Sequence, residues 1–306
     1  MTSELPIRGV FCAAATPMRR DLSPDLPRFI RHCHQLIADG CAGVALLGTT
    51  GEANSFDMPE RRTILETAIA GGIAPDKLLP GTGAAAFPDA VALTVHALSL
   101  GVTRVVMLPP FYYKGVSDDG LFAAYRNIVE RIADDRLRII LYNIPQMSGI
   151  ALSIDLIGRL IDAYPKTFVG IKDSAGNFEN MQRVIEAFPD FSVLAGADPL
   201  MLPLLRIGGA GCITATSNLV AAELATVERG ALDSRYAEEV DPAQARIEKV
   251  RSISNRFAQI PTIKAMLAHR HGAEDWLHVR PPLVPLTEQQ RSEIANAMAE
   301  VTSHRA

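Results

Sequence analysis

Residues 168–174 read Phe168-Val169-Gly170-Ile171-Lys172-Asp173-Ser174, an apolar run that ends at a lysine. A short apolar run followed by polar residues is typical of a buried strand. A lysine at the end of such a strand loses part of its hydration, which favours the neutral amine. A neutral amine can attack a carbonyl carbon and form a Schiff base, although a lysine in this position is more often a surface cation with a buried stem. The interpretation of Lys172 therefore depends on what the other strand ends carry.

Short β-like runs recur along the whole chain and alternate with segments of helical apolar spacing. Helical spacing is found, for example, over 26–38, 59–70, 89–100 and 120–132. Strands that alternate with helices pair in parallel through right-handed crossovers. Eight such units before about residue 230 match the ~250-residue size of a (β/α)8 barrel, so we expect an α/β fold of the TIM-barrel type. The eight runs begin near Gly9, Gly43, Leu78, Arg104, Leu137, Thr167, Phe191 and Gly211.

A doubly wound parallel sheet is the alternative arrangement for such a pattern. It is disfavoured because no GxGxxG motif follows the first strand. The segment Gly81-Thr82-Gly83 continues as Ala84-Ala85-Ala86, which does not match that fingerprint.

The pattern becomes purely helical from about Leu232, with predicted helices over 243–257, 262–271 and 288–301. No Gly/Ser linker or charge run separates this part from the preceding units. We therefore expect a barrel at 1–231 and a C-terminal helical extension at 232–306 that packs on the barrel and shapes contacts between subunits.

The composition is that of an ordinary globular protein. Of the 306 residues, 48% are apolar and 21% are charged, and the net charge is −4. The basic residues are scattered, which argues against a nucleic-acid surface, and no apolar stretch is long enough to span a bilayer. The N-terminus lacks the apolar core of a signal peptide. Four cysteines without CxxC spacing are typical of reduced thiols in a cytosolic protein, so we expect a cytoplasmic location.

Histidine spacing gives no indication of a metal site. His32 and His34 are two residues apart on a predicted helix and point to different faces, as do His269 and His271. No HExxH motif occurs. We predict no metal.

Polar residues follow several predicted strands at their carboxyl ends. Thr49 and Thr50 follow the second strand, Tyr112 follows the fourth, Tyr142 ends the fifth and Lys172 ends the sixth. In a barrel, residues at the carboxyl ends of the strands converge on one mouth, where the active site lies. The sequence therefore predicts that these five side chains come together.

The turn Gly48-Thr49-Thr50-Gly51-Glu52 has two interpretations. Its glycines allow a tight bend in which amides and hydroxyls of the two threonines face a carboxylate. Alternatively, it is a plain turn into a helix, with Glu52 near the helix N-terminus.

Several segments together resemble the pyruvate-dependent class I lyase family that includes dihydrodipicolinate synthase and N-acetylneuraminate lyase. The resemblance covers nearly the whole chain, and motifs in this order are highly specific to the family. The segments are Gly48-Thr49-Thr50-Gly51-Glu52, Gly81-Thr82-Gly83, Pro110-Phe111-Tyr112-Tyr113, Tyr142-Asn143-Ile144-Pro145, Gly170-Ile171-Lys172-Asp173 and Pro261-Thr262-Ile263-Lys264-Ala265.

The resemblance implies a role for each matching residue. Lys172 would form the Schiff base with pyruvate, Tyr142 would pass protons, and the Thr49–Thr50 pair would bind the substrate carboxylate. Tyr112 would complete a proton relay, reaching in from a neighbouring subunit, which implies a homo-oligomer, either a dimer or a tetramer. The resemblance implies no cofactor, because the electron sink is the covalent adduct of Lys172 with a 2-keto acid.

The chemistry of the side chains is compatible with those roles. A phenol such as Tyr142 can exchange protons with a substrate hydroxyl within hydrogen-bond reach. Tyr142 could also be a half-buried strand aromatic, and Tyr112 or Tyr113 could simply pack at an interface, where tyrosine is common.

The residues after Tyr142-Asn143-Ile144-Pro145 bear on the substrate. Typical dihydrodipicolinate synthases carry an arginine at the position of Met147, where it holds the carboxylate of the second substrate. A thioether cannot replace a bidentate guanidinium. The Ile-Pro-x-x-Ser-Gly pattern is closer to lyases that act on neuraminate or 2-keto-3-deoxy sugar acids. The predicted substrate-binding positions are Gly48, Thr50, Met147, Ser174, Gly196, Asp198 and Ile213, with Thr214 and Thr216 as further hydroxyl-binding candidates, although such polar residues could equally be turn or cap residues.

Four functions remain open from the sequence. Retro-aldol cleavage of a keto-deoxy acid comes first, and dehydration of a keto-deoxy sugar acid comes second. Condensation of pyruvate with aspartate semialdehyde comes third. A barrel that has lost catalysis and senses a ligand is the remote alternative, because Lys172, Tyr142 and Thr49 are all intact.

Overall fold

A curved sheet of seven parallel strands forms the centre of the computed structural model, which describes residues 7–303. The strand order is β2-β1-β7-β6-β5-β4-β3. All neighbouring strands pair in parallel, as the βα alternation in the sequence predicts. The strands are β1 Gly9–Ala13, β2 Gly43–Ala45, β3 Arg104–Met107, β4 Arg138–Asn143, β5 Phe168–Asp173, β6 Ser192–Ala195 and β7 Gly211–Thr214.

The run predicted near Leu78 is not a regular strand, yet it fills the gap between β2 and β3. It makes single parallel bridges to both neighbours, Val44↔Leu78 and Gly81↔Val106. Gly81 N donates to Leu46 O at 2.8 Å on one side, and Val106 N donates to Pro80 O at 3.0 Å on the other. Proline has no N–H to give to a ladder, which limits this segment to isolated bridges. The predicted TIM-barrel fold is confirmed. An irregular segment that makes only isolated bridges takes the place of the eighth strand.

The barrel interior is a small apolar cluster that stops just below the mouth. Successive strand residues alternate between the interior and the surrounding helices. Phe11, Val106, Ile140 and Leu194 belong to the interior cluster, and Tyr142 is its polar member. The strands therefore place the Tyr142 phenol at the upper edge of the apolar core.

Helices surround the strands, and the predicted positions agree with the observed ones to within three residues. Residues 26–38 form a helix with the predicted bounds, while 89–100 begins earlier, at Phe87, where the next residue is proline. Asp57 and Glu60 form a capping box, which is why the second helix starts one residue before the predicted proline. The helices of the barrel part are α1 Leu26–Ala38, α2 Met58–Ala70, α3 Phe87–Ser99, α4 Asp118–Ile132, α5 Pro145–Ser148, α6 Ile154–Ala163, α7 Phe178–Ala187, α8 Met201–Arg206 and α9 Ser217–Leu232.

The chain beyond α9 is helical, as predicted. It forms α10 Val240–Ser254, α11 Gln259–His271 and α12 Glu288–Ser303, with short 3-10 helices at Ser234–Glu239 and Glu274–Leu277. These helices pack on α9 and on one another. Helices α9 and α10 lie on either side of the predicted domain boundary at residue 231 and pack against each other. The division into two domains at that residue stays a prediction.

The four cysteines lie inside the protein as free thiols. Burial raises the pKa of Cys12 and Cys212 well above its ordinary value, and it raises the pKa of Cys41 to about 12. These thiols therefore stay protonated near neutral pH.

Two negative findings concern the described residues, 7–303. None of their helices combines the length and the apolar character that a bilayer-spanning segment needs. Within the same residues, no three His, Cys, Asp or Glu side chains are grouped so that they could hold a metal ion.

Candidate active site

Lys172 and Tyr142 lie side by side at the carboxyl ends of β5 and β4. They are direct partners in the strand register, so their side chains project to the same face of the sheet. The Lys172 Nζ lies 4.1 Å from the centre of the Tyr142 ring. Lys172 is 5% exposed and Tyr142 is 4% exposed. The sequence prediction that these two residues meet at a buried strand end agrees with this geometry.

A narrow pocket opens above this pair at the mouth of the barrel. Its walls are largely apolar and come from the interior faces of the strands, including Ala13, Ala45, Leu79 and Val106. Five of the predicted site residues line it: Gly48, Thr49, Tyr142, Lys172 and Ile213. A pocket of this kind holds few water molecules, which favours imine formation over competing hydration.

The Tyr142 phenol is the centre of a hydrogen-bonded group. Its hydroxyl lies 3.2 Å from Thr49 Oγ1. Burial by itself raises the pKa of Tyr142, but the Lys172 charge and hydrogen bonds with Thr49, Lys172 and Ser174 outweigh burial and lower it. A phenol whose pKa lies below the usual value gives up its proton more readily, which suits a group that relays protons.

The turn that carries Thr49 is closed by its own backbone and by the neighbouring strand. Glu52 N donates to Thr49 O at 3.0 Å, and Ala53 N donates to Gly48 O at 3.2 Å. Thr16 Oγ1 donates to Gly51 O at 2.9 Å. A β-carbon at Gly51 would lie 2.9 Å from Ala14 O, so glycine is required for this close approach.

The turn leads into a short 3-10 helix with Glu52 at its N-cap position, as the plain-turn interpretation predicts, but the Glu52 side chain makes its contacts elsewhere. Glu52 precedes this helix, Ala53–Ser55, without a side-chain hydrogen bond to it. Its carboxylate forms a fully buried ion pair with Lys264 of α11. Its other oxygen accepts from Arg280 N at 3.1 Å.

Ser174 lies close to the Tyr142 phenol and Gly196 lies close to Ser174, and neither residue lines the pocket. Ser174 lies close enough to the Tyr142 hydroxyl to lower its pKa, and the Ser174 carbonyl accepts from Gln146 Nε2 at 2.7 Å. A β-carbon at Gly196 would lie 2.0 Å from Ser174 Oγ. Gly196 therefore leaves the space that Ser174 occupies.

Asp198, Thr214 and Thr216 are not brought into the Lys172 pocket. Asp198 is fully buried and pairs with Arg251 of α10 at 3.2 Å, and Arg251 also donates to Thr216 Oγ1 at 3.3 Å. Thr214 is buried at the end of β7, on the same face of the strand as Cys212, which belongs to the layer between the strands and the helices. Because Ile213 points inward, its neighbour Thr214 must point outward. Their positions give the predicted hydroxyl-binding role no support.

Tyr112, Tyr113 and Met147 are exposed in the monomer. They are 72%, 74% and 63% exposed, respectively, and the two tyrosine rings pack edge to face. Lys114 donates to the carbonyl of Phe111 and to Ser148 O, the latter at 2.6 Å. The loop that carries Tyr112 is thus tied to α5, which carries Met147. Neither Tyr112 nor Met147 lines the Lys172 pocket within one chain.

Thr50, the second threonine of the turn, is buried and does not line the Lys172 pocket either.

Comparison with known proteins identifies the family. The model of the dihydrodipicolinate synthetase family matches residues 6–301. The chain belongs to this family. An uncharacterized DapA-like lyase of Chloroflexus aurantiacus is 32% identical over 302 residues, covering 96% of this chain and 97% of that protein. A 4-hydroxy-tetrahydrodipicolinate synthase of Halalkalibacterium halodurans is 32% identical, covering 94% and 96%.

Solved structures of the family have the same fold. A dihydrodipicolinate synthase from Agrobacterium tumefaciens superposes with a TM-score of 0.87 at 33% identity, covering 96% of this chain and 99% of that one. A 2-keto-3-deoxygluconate aldolase of Sulfolobus solfataricus superposes with a TM-score of 0.86 at 20% identity, covering 97% of each chain, which is a likeness of fold alone.

Membership of the dihydrodipicolinate synthetase family confirms two predictions from the sequence. The resemblance to this family is confirmed, and so is the assignment of the chain as an enzyme of the Schiff-base lyase and aldolase class. The family is pyruvate-dependent.

Two buried cations near the mouth were not predicted as site residues. Arg61 of α2 donates to Gly81 O at 2.9 Å and to Gly83 O at 3.3 Å, and burial lowers its pKa to about 10. Lys264 holds Glu52, although the sequence interpretation treated its segment only as part of the family pattern. The sequence did carry a sign that Lys264 is buried, because every other residue of the segment Ile263–Leu267 is apolar.

Proposed function

We propose that this chain is a pyruvate-dependent Schiff-base lyase that cleaves a 2-keto-3-deoxy sugar acid, or forms it in reverse. The observation that carries the proposal is the meeting of Lys172, Tyr142 and Thr49 in one buried pocket. An amine, a phenol and a hydroxyl in this arrangement supply a nucleophile and a proton relay.

Lys172 is the nucleophile of the proposed reaction. Its amine attacks the C2 carbonyl of the keto acid, and loss of water gives an iminium ion. The iminium withdraws electrons from the C3–C4 bond, so that cleavage of this bond leaves an enamine and an aldehyde. Protonation of the enamine at C3 and hydrolysis of the imine release pyruvate and free Lys172. The centre of the Tyr142 ring lies 4.1 Å from Lys172 Nζ, so the phenol is next to the reacting amine.

Tyr142 is the proposed proton carrier. It accepts the C4 hydroxyl proton when the C3–C4 bond breaks and returns that proton to C3 of the enamine, which regenerates the iminium for hydrolysis by water. Thr49 holds the phenol in place through the 3.2 Å contact. The turn that contains Thr49 and Thr50 offers amides and hydroxyls to the C1 carboxylate of the substrate. Tyr112 is exposed and is proposed to complete the relay from a neighbouring subunit of a homo-oligomer.

Met147 supports cleavage of a keto-deoxy acid over condensation with a second anionic substrate. It lies on α5 and is 63% exposed, and its thioether offers no donor to a carboxylate. A neutral aldehyde fragment has no need of a cation at this position. Ser174, which lies close enough to the Tyr142 hydroxyl to lower its pKa, is the residue proposed to contact a hydroxyl of the fragment.

Condensation of pyruvate with aspartate semialdehyde is the second candidate. It is favoured by relatives named 4-hydroxy-tetrahydrodipicolinate synthase, such as the proteins of Halalkalibacterium halodurans and Methanothrix thermoacetophila, the latter 29% identical over 301 residues. The Lys114 ammonium, which is bound to the carbonyl of Ser148 next to Met147, is the cation that could bind the second carboxylate. Its two carbonyl contacts oppose that role, because they already use two of its three donors.

Dehydration of a keto-deoxy sugar acid uses the same imine and differs only in which bond of the substrate breaks. A ligand-sensing barrel without catalysis requires that the Lys172 group has no reactivity, which the meeting of Lys172, Tyr142 and Thr49 in one buried pocket opposes.

A substrate screen tests the proposal. The protein is incubated with a panel of 2-keto-3-deoxy acids, and released pyruvate is measured with a coupled dehydrogenase. We expect release from at least one keto-deoxy sugar acid. In parallel, pyruvate and borohydride should add a reduced pyruvyl group at Lys172, identified by peptide mass spectrometry. No adduct, or an adduct on another lysine, contradicts the mechanism. Pyruvate consumption with aspartate semialdehyde alone would favour the second candidate.

A further inference from the structure

The buried pair of Glu52 and Lys264 connects the C-terminal helices to the turn of the candidate site. Both side chains are fully inaccessible to solvent and form a direct ion pair. Lys264 Nζ also donates to His278 O at 2.6 Å. The second Glu52 oxygen accepts from Arg280 N at 3.1 Å. All polar contacts found for the Glu52 carboxylate therefore come from residues of the C-terminal extension.

Glu52 sits in a backbone conformation that needs external support. Its φ and ψ angles are 58° and 34°, in the left-handed region, which residues with a β-carbon rarely occupy without compensation. The amide of Glu52 donates to Thr49 O. A shift of Glu52 would therefore move Thr49 directly.

The neighbouring contacts of Arg280 strengthen the connection. Its guanidinium donates to Ser55 O at 2.7 Å and to Leu22 O at 3.0 Å, and it pairs with Glu60. These contacts fix the segment just after the turn. Arg280 and Lys264 thus hold the turn from one side, while Thr16 holds Gly51 from the other.

An ion pair is a costly way to join two buried elements. Continuum estimates and mutational data agree that a well-packed apolar pair of similar volume is often at least as stable. Two apolar side chains can pack together in several orientations. A charged pair with further hydrogen bonds is satisfied in only one arrangement, so it fixes the position of each partner. The best-attested use of such a pair is to fix one register among several.

We propose that Glu52 and Lys264 are positioning residues, which hold the 48–52 turn so that Thr49 meets Tyr142 and the threonine pair meets the substrate carboxylate. The last part of this inference rests on the proposed function. The alternative is that the pair only anchors α11 and leaves the geometry of the turn to other contacts.

The test uses variants that separate positioning from stability. Lys264→Met and Glu52→Gln each remove one charge, and the double variant Glu52→Gln/Lys264→Met leaves no unpaired charge in the interior. Arg246→Met is the matched control, because Arg246 also anchors the C-terminal extension, through Glu223 and Val301 O, without contact to the turn. The readout is the pyruvate concentration that gives half-maximal borohydride trapping at Lys172, measured below the melting transition of every variant.

We expect the half-saturating pyruvate concentration to rise at least tenfold in the two single variants and in the double variant. The double variant should regain most of the melting temperature, because it contains no uncompensated buried charge. Arg246→Met should lower the melting temperature and leave the half-saturating concentration within twofold of the unmodified protein. A double variant with unchanged half-saturation would overturn the inference, whatever the single variants do.

Hydrogen exchange makes the result independent of pyruvate chemistry. Amides of residues 48–53 should exchange at least tenfold faster in the double variant than in the unmodified protein, and at an unchanged rate in Arg246→Met. Unchanged exchange in the double variant also overturns the inference. If the unmodified protein is not trapped by pyruvate, the proposed function fails, while the exchange rates still decide whether the pair holds the turn.

Discussion

Two lysines are buried in the described part of the chain, and their surroundings differ completely. Lys264 of α11 is fully buried against the Glu52 carboxylate and the His278 carbonyl. Lys172 at the end of β5 faces the Tyr142 ring at 4.1 Å and forms no ion pair with any described residue. One side chain is held by two acceptors, a carboxylate and a carbonyl, while the other borders an open pocket.

The difference shows how surroundings assign roles to the same chemical group. Burial lowers the pKa of Lys264, although the Glu52 charge acts to raise it. A lysine fixed by a carboxylate and a carbonyl has neither a free lone pair nor room to react. A lysine that borders a pocket beside an aromatic ring and a hydroxyl can form a bond with a carbonyl carbon. The predictions below test this division from the largest expected effect to the smallest.

Lys172→Arg should abolish both pyruvate trapping and turnover, because a guanidinium stays protonated and cannot attack a carbonyl. Borohydride reduction with pyruvate, followed by peptide mass spectrometry, measures the trapping. The exposed Lys249→Arg variant is the control and should be trapped like the unmodified protein. An adduct on Lys264 in either protein would break the comparison, since it would show that the Glu52 pair leaves that amine reactive.

Tyr142→Phe should lower turnover by roughly 10²–10⁴-fold, the usual contribution of a general acid–base group. The variant keeps the aromatic ring beside Lys172 and removes only the hydroxyl. Trapping of pyruvate should survive at least in part, because the amine itself is untouched. Steady-state turnover on the substrate found in the screen gives the measurement. Turnover equal to that of the unmodified enzyme would mean that Tyr142 serves only to pack against Lys172.

Lys264→Met should lower the free energy of unfolding by about 3–5 kcal/mol, the cost of leaving one member of a buried ion pair without its partner. Urea unfolding followed by circular dichroism measures the change. Adding Glu52→Gln should restore most of the loss, because the uncompensated carboxylate is then removed. A single variant as stable as the unmodified protein would show that the pair is not a structural link, and the contrast with Lys172 would be lost.

Met147→Arg should improve condensation of pyruvate with aspartate semialdehyde by roughly ten- to several hundred-fold in kcat/KM, because hydrogen bonds to charged groups contribute roughly 1.5–3 kcal/mol each. Neither buried lysine can hold the second carboxylate, since one is consumed by the imine and the other is paired with Glu52. A coupled assay measures the rate, with the exposed Val284→Arg as control. If the unmodified enzyme condenses these substrates as fast as it cleaves any keto-deoxy acid, and the arginine adds nothing, the interpretation of Met147 is wrong.

The barrel could be predicted from the sequence because its signals are local. The apolar run before Lys172 and the helical spacing of 26–38 each lie within one element, and both elements have close to the predicted bounds. The segment near Leu78 was predicted as a strand and instead forms isolated bridges. Pro80 cannot donate a ladder hydrogen bond, and whether this interrupts a strand depends on the neighbouring strands, which a local pattern does not reveal.

The candidate site could be predicted only where strand ends fix the direction of a side chain. Tyr142 and Lys172 are inside their strands, so the register alone brings them together. Asp198 and Thr216 follow their strands, where the direction is set by the loop and by Arg251 of a distant helix. The contact of Lys264 with Glu52 spans 212 residues, and no periodic pattern encodes a pair so far apart.

The inert thiols of this chain give it a practical property. With the pKa of Cys41 raised to about 12 by burial, only about 10⁻⁵ of that thiol is ionised at pH 7, and burial raises the pKa of Cys12, Cys33 and Cys212 as well. Maleimide and disulfide reagents should therefore leave the folded protein unlabelled. A single cysteine introduced on the surface would then carry a fluorophore or spin label without any removal of the native ones.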